Sequence, residues 1–125
     1  MSTSLDTVNA FLKLTSAEGA DIARAAGLMT DDVQFIGPLM QVSGRDAYAA
    51  LLTQFVPAHV ATKVLQQFAL GDEVCSIDEL VVRTPTGGTV TLTMAEWFRL
   101  RGGKIAEHRI FYDPREFASA FGVAA

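Results

Sequence analysis

Cysteine is nearly absent. Cys75 stands alone, so no internal disulfide can form, which suits a reducing compartment. Histidine is scarce as well: His59 and His108, far apart and with one cysteine elsewhere, give no metal-ligand spacing, and no metal or cofactor is expected. Basic residues are outnumbered, ten Lys and Arg against fourteen Asp and Glu, for a formal charge of −4. With no basic stripe, that balance argues against a nucleic-acid partner. No segment approaches the roughly 18 consecutive apolar residues of a membrane span, so no membrane partner is expected. Met1 to Asp6 has neither the basic nor the apolar region of a signal peptide, and the expected location is the cytoplasm. Repeats, low-complexity tracts, phosphate loops, nucleophile elbows and dinucleotide fingerprints are all missing.

What remains is an ordinary globular composition, 50% apolar and 19% charged. A chain of 125 residues fits one domain, 1–125, with one real core. The first half has helical periodicity. Leu5, Val8, Phe11, Leu12 and Thr15 share one stripe behind a Thr3 or Ser4 cap. Ile22, Ala23, Ala26 and Met29 predict a second short helix, broken at Asp31-Asp32. Val33–Ile36 predicts a strand ended by Gly37-Pro38. Ser43 is the expected cap of a third helix, with Asp46 at the position of the reciprocal acid. Tyr48, Leu51, Leu52 and Phe55 form its inner stripe, and Pro57 stops it.

The second half alternates with period two. Strands are expected over residues 60–70, 73–84, 89–101 and 104–112, joined by Gly71-Asp72, Pro85 to Gly88, and Gly102-Gly103. Asp113, Pro114 and Glu116 then open a last helix. The fold class is α+β: a curved antiparallel sheet whose concave face is covered by the N-terminal helices, leaving a conical pocket.

Glu96 is the informative exception in this pattern. It shares a face with Val90, Leu92, Met94, Phe98 and Leu100, where a bare carboxylate is too costly unless paired, protonated or open to a cavity. A two-residue turn at Gly102-Gly103 would set Glu96 opposite Arg109, as a structural ion pair. A three-residue loop from Arg101 would set it opposite His108. The second is favoured, because Ala106, His108, Ile110 and Tyr112 are the less charged set. Glu96, His108 and Tyr112 then share a concave surface walled by Met94, Phe98, Ile110, Phe68 and Leu70, with Gln66 joining if its strand keeps the same face. The sets containing Asp78 and Glu79 are equally mixed, so the face of Asp78 stays open.

Phe35-Ile36-Gly37-Pro38 followed by Ser43-Gly44-Arg45-Asp46-Ala47, and the ending from Trp97 to His108, resemble the NTF2-like superfamily and its SnoaL-like group. That resemblance, which covers nearly the whole chain, implies a cone-shaped α+β fold. It also implies a homodimer through the convex face, here Thr91, Thr93, Trp97, Arg99 and Arg109. It maps poorly onto known mechanisms. The general base of ketosteroid isomerases falls at Gly37 and their oxyanion-hole Tyr at Phe11, while their second donor, an acid, falls at Glu96. The acid of SnoaL cyclases falls at Ile110. Of the epoxide hydrolases' Arg and two Asp, only Asp78 is matched; Ser76 and Ile110 stand at the other positions.

The candidate catalytic residues are therefore Glu96, His108 and Asp78. Tyr112, Gln66, Phe68, Met94, Phe98 and Ile110 are candidate ligand contacts, and His59 lies near a pocket mouth. An acid–imidazole pair on an apolar face suggests cofactor-independent acid–base chemistry, an isomerisation, cyclisation or hydrolysis, on a small apolar carbonyl or epoxide compound. The alternative is a non-catalytic domain that binds an apolar ligand or dimerises.

Overall fold

The computed structural model describes residues 3–122. Thr3 caps α1 (Ser4–Leu14): its hydroxyl accepts from the Asp6 N–H, and the Asp6 carboxylate accepts from the Thr3 N–H, both at 3.1 Å. The apolar stripe of α1 buries Val8 and Phe11. The next helix, α2 (Ile22–Ala26), is capped by Asp21 and ends before Met29, which already belongs to a strand. That strand, β1 (Met29–Ile36), runs through Asp31 and Asp32 rather than starting after them. Both acids are exposed and ion-paired, Asp31 with Arg45 and Asp32 with Arg101, so they sit in a strand without being buried.

A short hairpin partner, β2 (Gln41–Ser43), follows. Ser43 therefore ends a strand and does not cap a helix; its hydroxyl donates to Gln34 Oε1 at 2.8 Å. Gly44 opens α3 (Arg45–Phe55) with no side-chain cap bond. A single 3-10 turn (Val56–Ala58) leads into β3 (His59–Leu70), β4 (Glu73–Arg83), β5 (Thr89–Arg101) and β6 (Lys104–Phe111). The last helix, α4 (Pro114–Phe121), is capped by Asp113, which accepts from the Arg115 N–H at 3.1 Å.

The sheet order is β2-β1-β6-β5-β4-β3. β1 runs parallel to β6 and every other pairing is antiparallel. The helices cover the concave face, and the buried residues of sheet and helices form two apolar clusters. One joins Val8, Phe11, Phe35, Tyr48, Phe98 and Ile105; the other joins Val82, Val90, Leu92 and Met94. Full burial of a side chain such as Phe98 contributes roughly 1.5–3 kcal/mol.

Two bulges decide which side chains face inward. The β5–β6 turn has two residues, Gly102 and Gly103, at φ 61° and 78°, the left-handed pair that a tight hairpin requires. Arg101 thus pairs with Lys104, as a two-residue turn requires and not as a three-residue loop would. Then Ala106 is left over: Leu100 pairs with Ile105 but Arg99 pairs with Glu107. That extra residue restores His108 to the face of Glu96, and Arg109 falls opposite Trp97 on the convex side. Glu96 lies directly across from Ile110, and His108 from Phe98, so Glu96 and His108 are diagonal neighbours and not a facing pair.

In β3 the second bulge has the opposite effect. Val64 pairs with Asp78 and Gln66 with Ile77, which leaves Leu65 unpaired. Gln66, Phe68 and Leu70 are thereby turned to the convex face, where they are exposed, Phe68 by 56% and Leu70 by 82%. The expectation that they wall the pocket does not hold.

Candidate functional site

Where β3, β4, β5 and β6 curve around α1 and α3, the concave face encloses a cavity of about 160 Å³. Its lining is mainly apolar, with Phe11, Leu52, Phe55, Leu92 and Met94 among the walls, and no Lys or Arg reaches it. Of the residues singled out in sequence, Asp78, Glu96, His108, Tyr112, Met94, Ile110 and His59 line it. Phe98 lies behind, its ring stacked on His108 at 4.0 Å between centroids. Gln66 and Phe68 are on the other side of the sheet.

Asp78 is the residue whose face the pattern left open. β4 pairs Asp78 with Met94 and Ser76 with Glu96, which places both on the concave side. Asp78 is fully buried, and Glu96 and His108 nearly so. A line of hydrogen bonds joins them. The Tyr48 hydroxyl meets His108 Nδ1 at 2.5 Å, and His108 Nε2 meets Glu96 Oε1 at 2.9 Å. The Asp78 and Glu96 carboxyls lie close enough to shift one another's titration. Asp78 Oδ2 is buried with no hydrogen-bond partner among the described residues, and a proton on one carboxyl would let the two bond to each other. Asp78 Oδ1 accepts from Ser76 Oγ at 2.7 Å. Ser76 in turn accepts from Gln67 Nε2 at 3.2 Å, and Gln67 also donates to Asn9 at 2.8 Å.

Burial sets the protonation of this group. It pushes the Asp78 carboxyl up to about 8, with the neighbouring Glu96 adding to the rise. Burial raises Glu96 too, while the bond from Asp78 works against that rise. His108 is driven down to about 3 by desolvation, so its ring is neutral at any physiological pH. Tyr48 and Tyr112 are held above the usual phenol value by burial and stay protonated. At neutral pH Asp78 therefore keeps its proton, beside a Glu96 carboxyl that burial also raises. The cavity presents two carboxyls side by side in apolar surroundings, each shifted by the other.

His59 has a structural task. Its Nδ1 accepts from the Ala17 N–H at 2.9 Å, so its proton is on Nε2, donated to Thr62 Oγ1 at 2.7 Å. The ring ties the α1–α2 loop to the start of β3. Tyr112 packs its ring edge against Phe117 of α4 at 6.1 Å. Among the described residues, no three His, Cys, Asp or Glu side chains are grouped to hold a metal ion, and no helix is long and apolar enough to cross a membrane.

Tyr48 and Ser76 are the functional neighbours that periodicity missed. Tyr48 reads as one more apolar position of the α3 stripe. The available signal is chemical: a tyrosine facing a core must find a partner for its hydroxyl. Ser76, alternating with Asp78 on one strand face, is marked only once the face is known.

Comparison with known proteins gives a consistent result. An NTF2-like protein of unknown function from Cytophaga hutchinsonii is 21% identical and superposes with a TM-score of 0.80, over 94% of this chain and 96% of that one. A putative SnoaL-like polyketide cyclase from a Jannaschia species is 18% identical, with a TM-score of 0.83 over 98% and 93% of the two chains. A putative polyketide cyclase from Pseudomonas putida is 18% identical, with a TM-score of 0.79 over 97% and 99%. Likeness at these identities is likeness of fold. No curated protein matches the chain. The SnoaL-like domain matches residues 8–108, a span that contains Asp78, Glu96 and His108: the chain belongs to the SnoaL-like domain family, on an NTF2-like fold.

Proposed function

We propose that this chain is a cofactor-independent acid–base enzyme for a small, uncharged, apolar carbonyl compound. The observation that carries the reading is the buried pair Asp78 and Glu96, both raised by burial in a cavity that no cationic side chain enters; the reading is that the pair holds one proton at neutral pH. Such a pair costs stability and offers nothing to packing, so its use is chemical. An anionic ligand would meet the pair's remaining negative charge with no counter-ion, which favours a neutral one.

In the reaction, the Glu96 carboxylate takes the proton from the carbon next to the carbonyl. The C–H electron pair moves to the carbonyl oxygen as the enolate forms. The Asp78 hydroxyl hydrogen-bonds that oxygen and supplies its proton, an electrostatic stabilisation that is largest where water is excluded. Return of the proton from Glu96 to a different carbon gives an isomer; attack of the enolate carbon on a second carbonyl gives a ring. An epoxide would use the same donor on its oxygen, with water activated by Glu96. His108 orients Glu96, and Tyr112 borders the ligand.

The test is deuterium exchange. A panel of apolar, enolisable ketones is incubated with the protein in D2O and exchange at the α-carbon is followed by mass. The parent accelerates exchange for at least one compound, and Glu96→Gln and Asp78→Asn each lower that rate by about 10²-fold or more. Equal exchange in all three proteins, or none with any compound, would sink the reading.

The expected second copy of the chain would dock on the convex face. Exposed Phe68 and Phe111 lie there, with Trp97 between their strands. Sedimentation equilibrium of the parent against Phe68→Ser tests this; a parent that is monomeric at every concentration contradicts it.

A further inference from the structure

We infer that Tyr48 is a positioning residue: its hydroxyl fixes the tautomer of His108, and through that ring decides which of the two carboxyls is the base. The inference deepens the acid–base reading of the same cavity. Its test needs no substrate, so the two can fail separately.

The direction of the hydrogen-bond line follows from one donor. The Tyr48 ring is buried, stacked on Phe35 at 4.9 Å, and its hydroxyl has no protein partner other than His108 Nδ1 among the described residues. A buried O–H must donate, and Nδ1 is what it can donate to. Nδ1 is therefore an acceptor and carries no proton. The His108 ring lies flat on Phe98, with Phe11 and Phe35 presented at steep angles to it, 5.7 and 5.4 Å away. An uncharged ring suits those surroundings, and with Nδ1 bare its one proton is on Nε2. Nε2–H then donates to Glu96 Oε1. Glu96 receives this bond, and the Asp78 carboxyl beside it works against the rise that burial imposes, so Glu96 is the member of the pair better placed to ionise.

The reverse direction holds the same number of protons and fails at one atom. With Nδ1–H donating to the Tyr48 oxygen, the phenol hydrogen would have no protein acceptor. Nε2 would then need a proton from Glu96, and the negative charge would pass to Asp78. The phenol thus selects between two arrangements of one proton, fixing a ring that touches the base without itself reaching the reacting carbon.

The ionisable groups facing the cavity come from α3 and from the strands β3 to β6, while α1, β1 and α4 contribute none. They are Tyr48 from α3, His59 at the start of β3, Asp78 from β4, Glu96 from β5, His108 from β6 and Tyr112 just beyond it. From α1 come only Phe11, Leu12 and Thr15. None of these is a permanent cation, so no other charge overrides the choice made at His108.

The experiment is nitrogen NMR of the His108 ring, with carbon NMR of the Asp78 and Glu96 carboxyls, on parent and Tyr48→Phe. In the parent, Nε2 should appear protonated and Nδ1 bare, and Asp78 should titrate above Glu96. In Tyr48→Phe, the Nδ1 signal should move toward the protonated position, and the two carboxyl midpoints should draw together. Val33→Ala loosens the same buried cluster without touching the hydroxyl, and should leave the tautomer as in the parent. A parent with Nδ1 protonated overturns the inference. So does a Tyr48→Phe protein whose tautomer and carboxyl order are unchanged, or a Val33→Ala protein whose tautomer shifts equally.

Discussion

Asp78→Asn should stabilise this protein, and by an amount that grows with pH. Asparagine has the shape of the protonated acid. Its amide N–H can donate to Glu96 as the Asp78 hydroxyl does, and its oxygen can accept from Ser76 at the 2.7 Å position. What the change removes is the need to keep a buried carboxyl protonated. The folded value of Asp78 is about 8 against an ordinary 3.8. A carboxyl raised by folding contributes its stability fully below the unfolded value, and loses it as pH rises through the folded one. The window is therefore from about pH 4 to pH 8. The interval between 3.8 and about 8, at about 1.4 kcal/mol per pH unit, bounds the effect at about 6 kcal/mol. Relaxation and water entry into the cavity reduce it, and about 2 kcal/mol is the least that a buried acid of this kind should show. That is a sizeable share of a total stability of roughly 5–15 kcal/mol. The assay is urea unfolding of parent and variant from pH 4 to pH 8.5. Exposed acids such as Asp32 and Asp113, held low by Arg101 and Arg115, cancel in the difference. The difference should be near zero at pH 4 and rise steadily in favour of Asn. A constant difference, or one that favours Asp as pH rises, would mean that Asp78 is ionised in the fold and that the shared-proton picture is wrong.

Further outcomes follow from the same geometry. Glu96→Gln should abolish deuterium exchange while changing stability at pH 7 by no more than about 1 kcal/mol, since hydrogen bonds are exchanged and not lost; a loss of several kcal/mol on denaturation would mark a structural carboxylate. The exchange rate should fall as pH passes about 8, where Asp78 gives up its proton, and a rate still rising at pH 9.5 would exclude Asp78 as the donor. His59→Ala should cost about 1–3 kcal/mol by orphaning the Ala17 N–H, read by thermal or urea unfolding, and should leave exchange intact. Leu70→Ser, on the exposed convex side, should shift stability by no more than about 0.5 kcal/mol and leave ligand affinity unchanged; a large change in either would restore Leu70 to the pocket wall.

The strands were legible in the sequence because alternation is a physical constraint on a sheet with one covered face. The face of β5 with Glu96 in its middle, the α+β order and the caps at Thr3 and Asp113 follow from that kind of local rule. What could not be read was parity across bulges. Ala106 and Leu65 carry no composition signal, yet each reverses a face. The first put His108 beside Glu96 although the turn itself is the two-residue one; the second took Gln66 and Phe68 out of the pocket. Asp78 was undecidable for a related reason: both faces of β4 mix apolar and charged residues, since Glu79 and Arg83 meet water on one side and Asp78 meets a cavity on the other. Asp31 and Asp32 misled in the opposite direction, because ion pairs with Arg45 and Arg101 allow two acids in a strand. The parallel pairing of β1 with β6 needed long-range contacts that no local pattern encodes. The role of Tyr48 needed the distance to His108, which joins positions 60 residues apart.

The most direct single measurement is the carbon NMR titration of the Asp78 and Glu96 carboxyls in the parent protein. One proton should remain on the pair through neutral pH, with Asp78 releasing it near pH 8 and Glu96 accepting hydrogen bonds as the anion. Two carboxyls that both titrate in the ordinary range near pH 4 would contradict the shared proton, and with it the acid–base site.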